Sequence, residues 1–332
     1  MHLTYRNVND AFRGITSAID SGRILVNVLP SRAGEVLVVE EPMTITYREP
    51  RERVLFNAGR DANPFFHLFE GLWMLAGRND VEPLTRYNSQ IGKIASDDGE
   101  TLNGAYGYRW RNGVDQLYLI AQHLKDFPIS RRAVLTMWSP VMDLLRIETH
   151  KDVCCNTHVY FLIEDEKYLN MTVCNRSNDL LWGCLGANVV HFSMLQEYMA
   201  ALIGIETGTY NQFTNNLHVY ADKWIPSAWL DMEDQDLLEN TRNEYDELEL
   251  VPMVEDPEVF DEELDEFIDN DDWTRNWVEP FLNSVAAPMC WAFELHKRGE
   301  KLLAAKAIEE VGSPDWKKAG REWFERRNGR LV

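Results

Sequence analysis

The chain has 332 residues, of which 45% are hydrophobic, enough to bury a sizeable core in one large domain or two. No apolar run approaches the roughly 18 residues that a membrane span needs, and the N-terminal sequence MHLTYRNVND has no signal-peptide pattern. We therefore expect a soluble, cytoplasmic protein. The five cysteines are odd in number and lack CxxC spacing, which predicts free thiols and no zinc site.

The net charge of −21 is concentrated in one segment. Residues 231–272 hold 20 Asp and Glu against the single Arg242, so the rest of the chain is almost neutral. Spread evenly, a charge of this size would repel nucleic-acid backbones; it is concentrated in one segment instead, and we expect no direct nucleic-acid binding. Two interpretations of the segment stay open: a solvated acidic loop or helix face, or a docking surface for a basic partner.

The first third of the chain predicts a helix, a hairpin and a buried helix. Apolar residues at helical spacing predict the first helix over residues 4–22. The sequence ILVNVLPSRAGEVLVVEE then predicts two strands joined by a turn that contains Arg32. Asn63 and Pro64 are typical of a helix start and Gly77 of a helix end, and the apolar sequence between them predicts burial.

Glu70 lies inside this apolar helix. A buried carboxylate without a partner costs several kcal/mol or takes up a proton. Glu70 therefore either extends to the edge of the helix, where water reaches it, or has a function that offsets this cost.

The next part of the chain contains a tyrosine and a pair of arginines that could contact a substrate. The Gly-rich sequence SDDGETLNGAYGYRWR predicts a loop that contains Tyr106, and an amphipathic helix follows from about Asp115 to Asp126. The adjacent Arg131 and Arg132 precede the predicted strand AVLTMW. Adjacent arginines are usually solvated, but a pair of guanidinium groups also suits a phosphate dianion.

A thiol, a guanidinium, a carboxylate and an amide come close together in the middle of the chain. Cys155 precedes the strand-like sequence NTHVYFLI, and Arg176, Ser177 and Asp179 follow a second strand-like sequence, LNMTVCN. A turn containing glycines then leads to Asn188 at the start of an apolar helix. We expect these groups to meet at one end of a sheet, although a Cys at a strand entrance is more often a small buried hydrophobic residue than a nucleophile.

The last part of the chain returns to strands and then to helices. A strand is predicted over residues 207–213, and His218 and Tyr220 follow it at a spacing of two, which places both on one face of an extended segment. A His beside a Tyr is generally structural. The tail over residues 273–332 predicts two or three helices.

These motifs together resemble the thymidylate synthase superfamily, and CCNTHVYFLI followed by RSND is closest to its pyrimidine nucleotide hydroxymethylase branch, the deoxycytidylate enzymes above all. The resemblance covers roughly residues 5–225 and implies an α/β fold with a twisted mixed sheet and flanking helices. We divide the chain into a catalytic domain (1–230), the acidic segment (231–272) and a helical C-terminal extension (273–332). The resemblance also implies a homodimer, with phosphate-binding arginines contributed across the interface.

The resemblance assigns a role to each candidate residue. Cys155 is the expected nucleophile, with Arg176 favouring its ionisation; Glu70 organises water against the pyrimidine, Tyr106 helps to move the C5 proton, and Asp179 anchors the pterin. The residues expected to bind the nucleotide are Arg32, Arg131, Arg132, Arg176, Ser177, Asn188, His218 and Tyr220, and Gly183 joins Asp179 at the folate site. The implied one-carbon donor is 5,10-methylenetetrahydrofolate, and no metal is implied.

Two departures from ordinary thymidylate synthases favour hydroxymethylation over reductive methylation. Gly92 stands where those enzymes have a Trp against the pterin, and nothing resembles their folate-closing C-terminal segment. Both changes leave room for water, which hydride transfer must exclude. Reductive methylation of dUMP, CMP hydroxymethylation and an inactive nucleotide-binding or interaction protein remain alternatives, and Tyr87 is the alternative occupant of the space at Gly92.

The identity of the base depends on Asn188. One Asn amide can meet both the O4 acceptor and the N3 donor of uracil, whereas cytosine reverses that pattern. Asn188 fills the family's base-recognition position only if the turn GCLGAN is one residue longer than usual; strict counting from Gly183 places Ala187 there. We prefer Asn188 and therefore slightly favour uracil, although the likeness of the Cys155 segment to the cytosine enzymes points the other way.

Overall fold

A computed structural model describes residues 1–32, 34–96, 98–149, 151–224 and 243–328. Its α-helices are α1 (Val8–Asp20), α2 (Pro64–Leu75), α3 (Glu82–Thr85), α4 (Tyr106–Arg111), α5 (Gln116–Asp126), α6 (Asn188–Ile203), α7 (Pro257–Ile268), α8 (Ala287–Lys297), α9 (Lys301–Glu309) and α10 (Pro314–Asn328). Its strands are β1 (His2–Tyr5), β2 (Val26–Ser31), β3 (Gly34–Val39), β4 (Met43–Tyr47), β5 (Val134–Thr136), β6 (Asn156–Glu164), β7 (Tyr168–Asn175), β8 (Asn178–Asp179), β9 (Glu206–Thr214) and β10 (Leu217–Tyr220). None of the described helices is both long and apolar enough to cross a lipid bilayer.

The described strands form two sheets. The larger sheet has the order β1-β4-β9-β7-β6-β5 and is mixed, because β1 pairs with β4 and β7 with β9 in parallel while the other pairs are antiparallel. The smaller sheet has the order β2-β3-β10-β8. The predicted α/β fold with mixed strand pairing and flanking helices is confirmed.

Two apolar helices, α2 and α6, pack against each other beneath the larger sheet. The Asn63 carboxamide caps α2 by accepting a hydrogen bond from the Phe66 amide at 3.1 Å, and Gly77 follows the helix with a φ of +73°. Both ends of α2 therefore lie where the local signals predicted them. This precision matters because α2 carries Glu70.

Two local predictions were wrong. Residues 2–5 form β1, which pairs with β4, so the first helix starts only at Val8 after the Asn7 cap. Tyr106 opens the short helix α4 and does not lie in a loop. In both cases the structure involves residues distant in sequence. Strand β1 pairs with β4, and Gly107 of α4 packs so closely against Met74 O that a Cβ on Gly107 would overlap it.

The described part of the acidic segment is anchored to the body of the protein, whereas residues 231–242 lie outside the described residues. Phe260, Leu264 and Phe267 of α7 are buried. Several carboxylates of the segment pair with arginines of the first third of the chain, namely Glu244 with Arg13, Asp246 with Arg6, Asp261 with Arg111, Asp269 with Arg78 and Asp271 with Arg86. The apolar face of α7 is thus buried while Glu258, Glu262 and Glu266 stay exposed, as a solvated acidic helix face would be, and docking of a basic partner remains the open alternative.

The C-terminal tail forms the three helices α8, α9 and α10, which confirms the helical extension. It packs on α2 through aromatic rings: the Phe65 centroid lies 5.2 Å from that of Phe293, 5.3 Å from that of Trp323 and 5.0 Å from that of Phe324. One cluster of buried residues thus extends from α1 to α10. The division of the chain at residues 230 and 272 stays a prediction.

Candidate active site

The structure brings Cys155 and Arg176 together at one end of the larger sheet. Cys155 immediately precedes β6, Arg176 immediately follows β7, and the Arg176 amide donates to Cys155 O at 2.9 Å. The guanidinium donates to Cys154 O at 2.8 Å and to Val153 O at 2.9 Å, and its Nη2 lies 3.6 Å from Cys155 Sγ. These bonds hold the positive charge beside the thiol.

The two neighbouring thiols have different environments. Cys154 is 1% exposed, and its Sγ faces Gly104 O at 3.7 Å and Met137 O at 3.8 Å; burial raises the pKa of this thiol to about 12. Cys155 is half-buried, and burial also raises its pKa, while the charge of Arg176 acts in the opposite direction. Arg176 thus favours ionisation as expected, but burial outweighs it, and Cys155 is a thiol in the resting protein.

The Tyr106 hydroxyl contacts the backbone at Cys155. Its hydroxyl oxygen accepts from the amides of Cys155 at 3.3 Å and Asn156 at 3.4 Å. Burial raises the pKa of Tyr106 well above its usual value, so the phenol stays protonated. Its hydroxyl hydrogen is therefore available for a further acceptor.

Glu70 is paired with a histidine that sequence reasoning missed. Burial, and secondarily the nearby Asp152, raise the pKa of Glu70 to about 8, and burial lowers the pKa of His191 to about 3. His191 Nε2 is buried and lies 3.3 Å from Glu70 Oε2. The other ring nitrogen of His191 carries the hydrogen and donates to the backbone of His67, so Nε2 is an acceptor and its contact with Glu70 is a hydrogen bond when Glu70 carries the proton.

Asn188 is the first residue of α6 and follows a π-type turn, Leu180–Ala187, in which Leu185 and Gly186 leave helical φ and ψ values. A π-type turn holds more residues than an α-helical turn, so it accommodates the longer connection that the Asn188 assignment requires. The Asn188 amide lies within hydrogen-bonding distance of Asn156, the residue after Cys155, at 3.3 Å. This contact places Asn188 at the same end of the sheet as the thiol.

Asp179 presents an unused acceptor. Its Oδ1 accepts from the amides of Leu181 at 2.9 Å and Trp182 at 2.6 Å, while its Oδ2 is buried and has no partner among the described residues. Burial raises the pKa of Asp179. Trp182 is 57% exposed, and the Arg60 guanidinium lies 4.6 Å from its ring centroid. Sequence reasoning missed Arg60, because no local pattern marks it.

The second sheet brings His218 and Tyr220, two of the residues expected to bind the nucleotide, close to Asp179. His218 pairs in register with Asp179 through the parallel strands β10 and β8, and the rings of His218 and Tyr220 contact each other edge to face, with centroids 5.9 Å apart. Arg32 is exposed at the tip of the hairpin formed by β2 and β3, in the same sheet. Ser177, between Arg176 and β8, is partly exposed.

Arg131 and Arg132 lie far from Cys155 of their own chain. Val134 of β5 pairs with Tyr160 of β6, so continuing this register places Arg132 near the far end of β6. At about 3.3 Å per residue, that position is roughly 20 Å from Cys155, which exceeds the reach of an Arg side chain. Both arginines are exposed, and neither forms an ion pair with another residue in the described ranges.

The space at Gly92 is open. A Cβ on Gly92 would meet only Thr85 Cγ2, at 3.9 Å. Tyr87, the alternative occupant, is instead buried between Phe69 and Phe293, with ring centroids 4.5 Å and 4.9 Å away. Tyr87 therefore belongs to the core and does not fill this space.

Comparison with known proteins gives consistent matches. A family model described as thymidylate synthase matches residues 65–269. The chain is 45% identical over 309 residues to the deoxyuridylate hydroxymethyltransferase of Pseudomonas phage M6, covering 90% of this chain and 87% of that protein. It is 39% identical over 254 residues to the deoxyuridylate hydroxymethyltransferase of Bacillus phage SP01, covering 73% of this chain and 63% of that relative. It is 30% identical over 219 residues to the thymidylate synthase of Symbiobacterium thermophilum, covering 57% and 74% respectively.

Proposed function

Because the chain belongs to the thymidylate synthase family, we propose that it transfers a one-carbon unit from 5,10-methylenetetrahydrofolate to C5 of dUMP and forms 5-hydroxymethyl-dUMP. The observation that carries the proposal is the Cys155 thiol, 3.6 Å from the Arg176 guanidinium, with the Tyr106 hydroxyl bonded to its backbone amide. The names of the two phage relatives support hydroxymethylation of a uracil nucleotide.

Cys155 supplies the nucleophile. C5 of a pyrimidine reacts poorly with electrophiles, and addition of sulfur to C6 moves the electrons of the 5,6 double bond toward C5 and O4. Burial raises the pKa of the thiol, so its proton passes to water as the sulfur–C6 bond forms, and the Arg176 guanidinium stabilises the negative charge that develops on sulfur. After C5 has bonded to the one-carbon unit and lost its proton, tetrahydrofolate leaves and water adds to the resulting exocyclic methylene; the sulfur–C6 bond then breaks and the ring double bond returns.

Tyr106 and Glu70 are placed to transfer protons to and from the pyrimidine ring. The Tyr106 oxygen is held by two backbone amides, so its hydroxyl hydrogen is directed to a water or substrate atom, and the phenol can relay the C5 proton. Glu70, whose pKa is about 8, retains a proton at neutral pH and can donate through water toward O4, where negative charge develops.

The residues around Asp179 fit a folate. The bound co-substrate supplies the electrophilic one-carbon unit. Asp179 Oδ2 is a buried acceptor without a partner in the described ranges, which suits an N–H donor of a pterin, and the exposed ring of Trp182 offers an apolar surface beside it. Gly183, which follows Trp182 and is partly exposed, is the second residue proposed to contact the folate.

The open space at Gly92 supports hydroxymethylation over reductive methylation. If this position faces the pterin, as the resemblance implies, the room it leaves favours addition of water to the one-carbon unit, whereas hydride transfer requires a dry, closed site. The test is to incubate dUMP with 5,10-methylenetetrahydrofolate, weigh the nucleotide product by mass spectrometry and follow dihydrofolate by absorbance. We expect a product heavier by CH₂O and no dihydrofolate.

Cysteine variants provide the matched control for this assay. Cys155→Ser should lose product formation and the release of tritium from C5-labelled dUMP, whereas Cys154→Ser should retain both, because the Cys154 thiol is directed into the core. Stoichiometric dihydrofolate would identify a thymidylate synthase instead. Competition of dUMP with dCMP, UMP and CMP in the same assay defines the base and the sugar.

We further propose a homodimer in which Arg131 and Arg132 bind the phosphate in the partner subunit. Their position roughly 20 Å from Cys155 of the same chain supports this arrangement. On β7 the side chains alternate between buried and half-buried, so one face of the sheet is available for a second subunit. The phosphate ligands within the same subunit would be Arg32, Arg176 and Ser177.

The cytoplasm is the proposed location. All five cysteines are free, as is usual for a protein in a reducing compartment. We also keep the proposed division into a catalytic domain, an acidic segment and a helical extension, with both later parts serving to anchor the catalytic domain through ion pairs and aromatic contacts.

A further inference from the structure

Four side-chain amides connect end to end beside Cys155, and we call this chain the amide relay. Gln212 Nε2 donates to Cys184 O at 3.0 Å, and Asn178 Nδ2 donates to Gln212 Oε1 at 2.7 Å. Asn188 Nδ2 then donates to Asn178 Oδ1 at 3.0 Å, and Asn156 Nδ2 donates to Asn188 Oδ1 at 3.3 Å. The relay therefore starts at a backbone carbonyl and passes through Asn188.

Three members of the relay are closed to water. Gln212 and Asn156 are 0% exposed and Asn178 is 3% exposed, whereas Asn188 is partly exposed. Buried amides must find their partners inside the protein, so these contacts are not exchanged for contacts with solvent. Asn188 is the member whose remaining hydrogen-bonding capacity can serve a ligand.

The relay has one permitted direction. The Cys184 carbonyl can only accept, so the Gln212 atom facing it must be the nitrogen, and the oxygen of Gln212 must face Asn178. The same reasoning applied at each step places the nitrogen of Asn188 toward Asn178 and its oxygen toward Asn156. A flipped Asn188 would set oxygen against oxygen and nitrogen against nitrogen, and a flip of the whole relay would set two carbonyl oxygens together at Cys184.

This direction matches uracil. With Asn188 so oriented, its second Nδ2 hydrogen can donate to O4 and a lone pair of Oδ1 can accept from N3–H, whereas cytosine requires the flipped amide. We propose that Gln212 is a positioning residue that, acting through Asn178, locks Asn188 in the orientation that selects uracil over cytosine. The inference rests on the proposed function and deepens it by naming what sets the base.

Gly183 provides independent support. A Cβ on Gly183 would overlap Asn178 Oδ1 and would lie 3.0 Å from Asn188 Nδ2. Glycine at this position therefore leaves room for the hydrogen bond between Asn178 and Asn188. The turn that delivers Asn188 is thus shaped around the relay.

The test compares Gln212→Met with Gln212→Glu in the full chain. Met fills a similar volume but cannot fix the direction of Asn178, while a protonated Glu donates to Cys184 O and accepts from Asn178 and so preserves the relay. We expect the ratio of dissociation constants for dCMP and dUMP, measured by calorimetry, to fall about tenfold in Gln212→Met, the effect of one lost buried hydrogen bond. Below the pKa of the introduced carboxyl, Gln212→Glu should keep the wild-type ratio.

The outcomes separate the relay from a merely structural role and from the proposed reaction. A Gln212→Met protein that binds both nucleotides more weakly by the same factor would overturn the proposal, as would a wild-type protein that prefers dCMP. Asn178→Leu removes two hydrogen bonds of the relay and leaves Gln212 unmutated. It should give the same change in the ratio of dissociation constants, and it replaces Gln212→Met as the test if that variant does not fold. A wild-type protein that prefers dUMP but forms no hydroxymethyl product would refute the proposed reaction. The proposal for the relay would then still be tested by the ratio of dissociation constants in the Gln212 variants.

Discussion

Replacing Glu70 by Gln should stabilise the protein at neutral pH. The pKa of Glu70 is about 8 in the folded protein against an ordinary value of 4.5. Between these two values the unfolded chain has released a proton that the folded protein keeps, so the free energy of unfolding falls by about 1.4 kcal/mol per pH unit as pH rises. The loss accumulated at pH 7 is about 3 kcal/mol, and the stabilisation is fully present only below pH 4.5.

Gln carries no titrating group and its amide can donate to His191 Nε2, so Glu70→Gln removes this pH dependence without orphaning the imidazole. We expect the variant to exceed the wild type by about 3 kcal/mol at pH 7 and to match it near pH 4.5. Urea denaturation at several pH values and one fixed protein concentration measures the difference. Glu262→Gln, on the exposed surface of α7, is the matched control and should show no such trend. A Glu70→Gln difference that is independent of pH would refute the reasoning.

Two further predictions concern the sharing of Arg131 and Arg132 between subunits and the packing of the helical C-terminal extension on Phe65. Mixing inactive Cys155→Ser with an inactive variant carrying Arg131→Ala and Arg132→Ala should restore about a quarter of wild-type activity, because half of randomly assorted dimers are hybrids with one intact site; no recovery would place the arginines in the site of their own chain. Phe65→Ala should cost about 3–5 kcal/mol in urea denaturation, since it removes the ring that three aromatic residues of the extension contact; a cost below about 1 kcal/mol would mean that the extension is not anchored there.

Local signals predicted the elements whose ends they control. Asn63 and Gly77 bound α2 because caps act within one turn of the helix. In contrast, β1 depends on pairing with β4, and the two-residue strand β8 depends on pairing with β10. Such pairing is decided by residues far apart in the sequence, so the sequence pattern showed neither β1 nor the separation of the strands into two sheets.

The same distinction applies to the site. Cys155 and Arg176 were expected together because they flank neighbouring strands of a hairpin. The pairing of Glu70 with His191 joins two helices, and the relay joins residues from separate elements, so no spacing in the sequence marks either of them. One signal was available: Gln212 occupies an inward position of β9, between the buried Tyr210 and Thr214, where a polar side chain needs a partner.

Helix α2 carries both Glu70, whose burial is destabilising at neutral pH, and Phe65, which packs against the C-terminal extension. Burial of Glu70 lowers the free energy of unfolding at neutral pH, and burial leaves Asp179 Oδ2 without a partner in the described ranges. Phe65, near the start of the same helix, packs against α8 and α10 of the extension. Because Phe65 and Glu70 share one helix, the aromatic contacts that hold α2 also hold Glu70 near Asp152, three residues before Cys155. The extension thereby supports the site through α2, whatever further role it has.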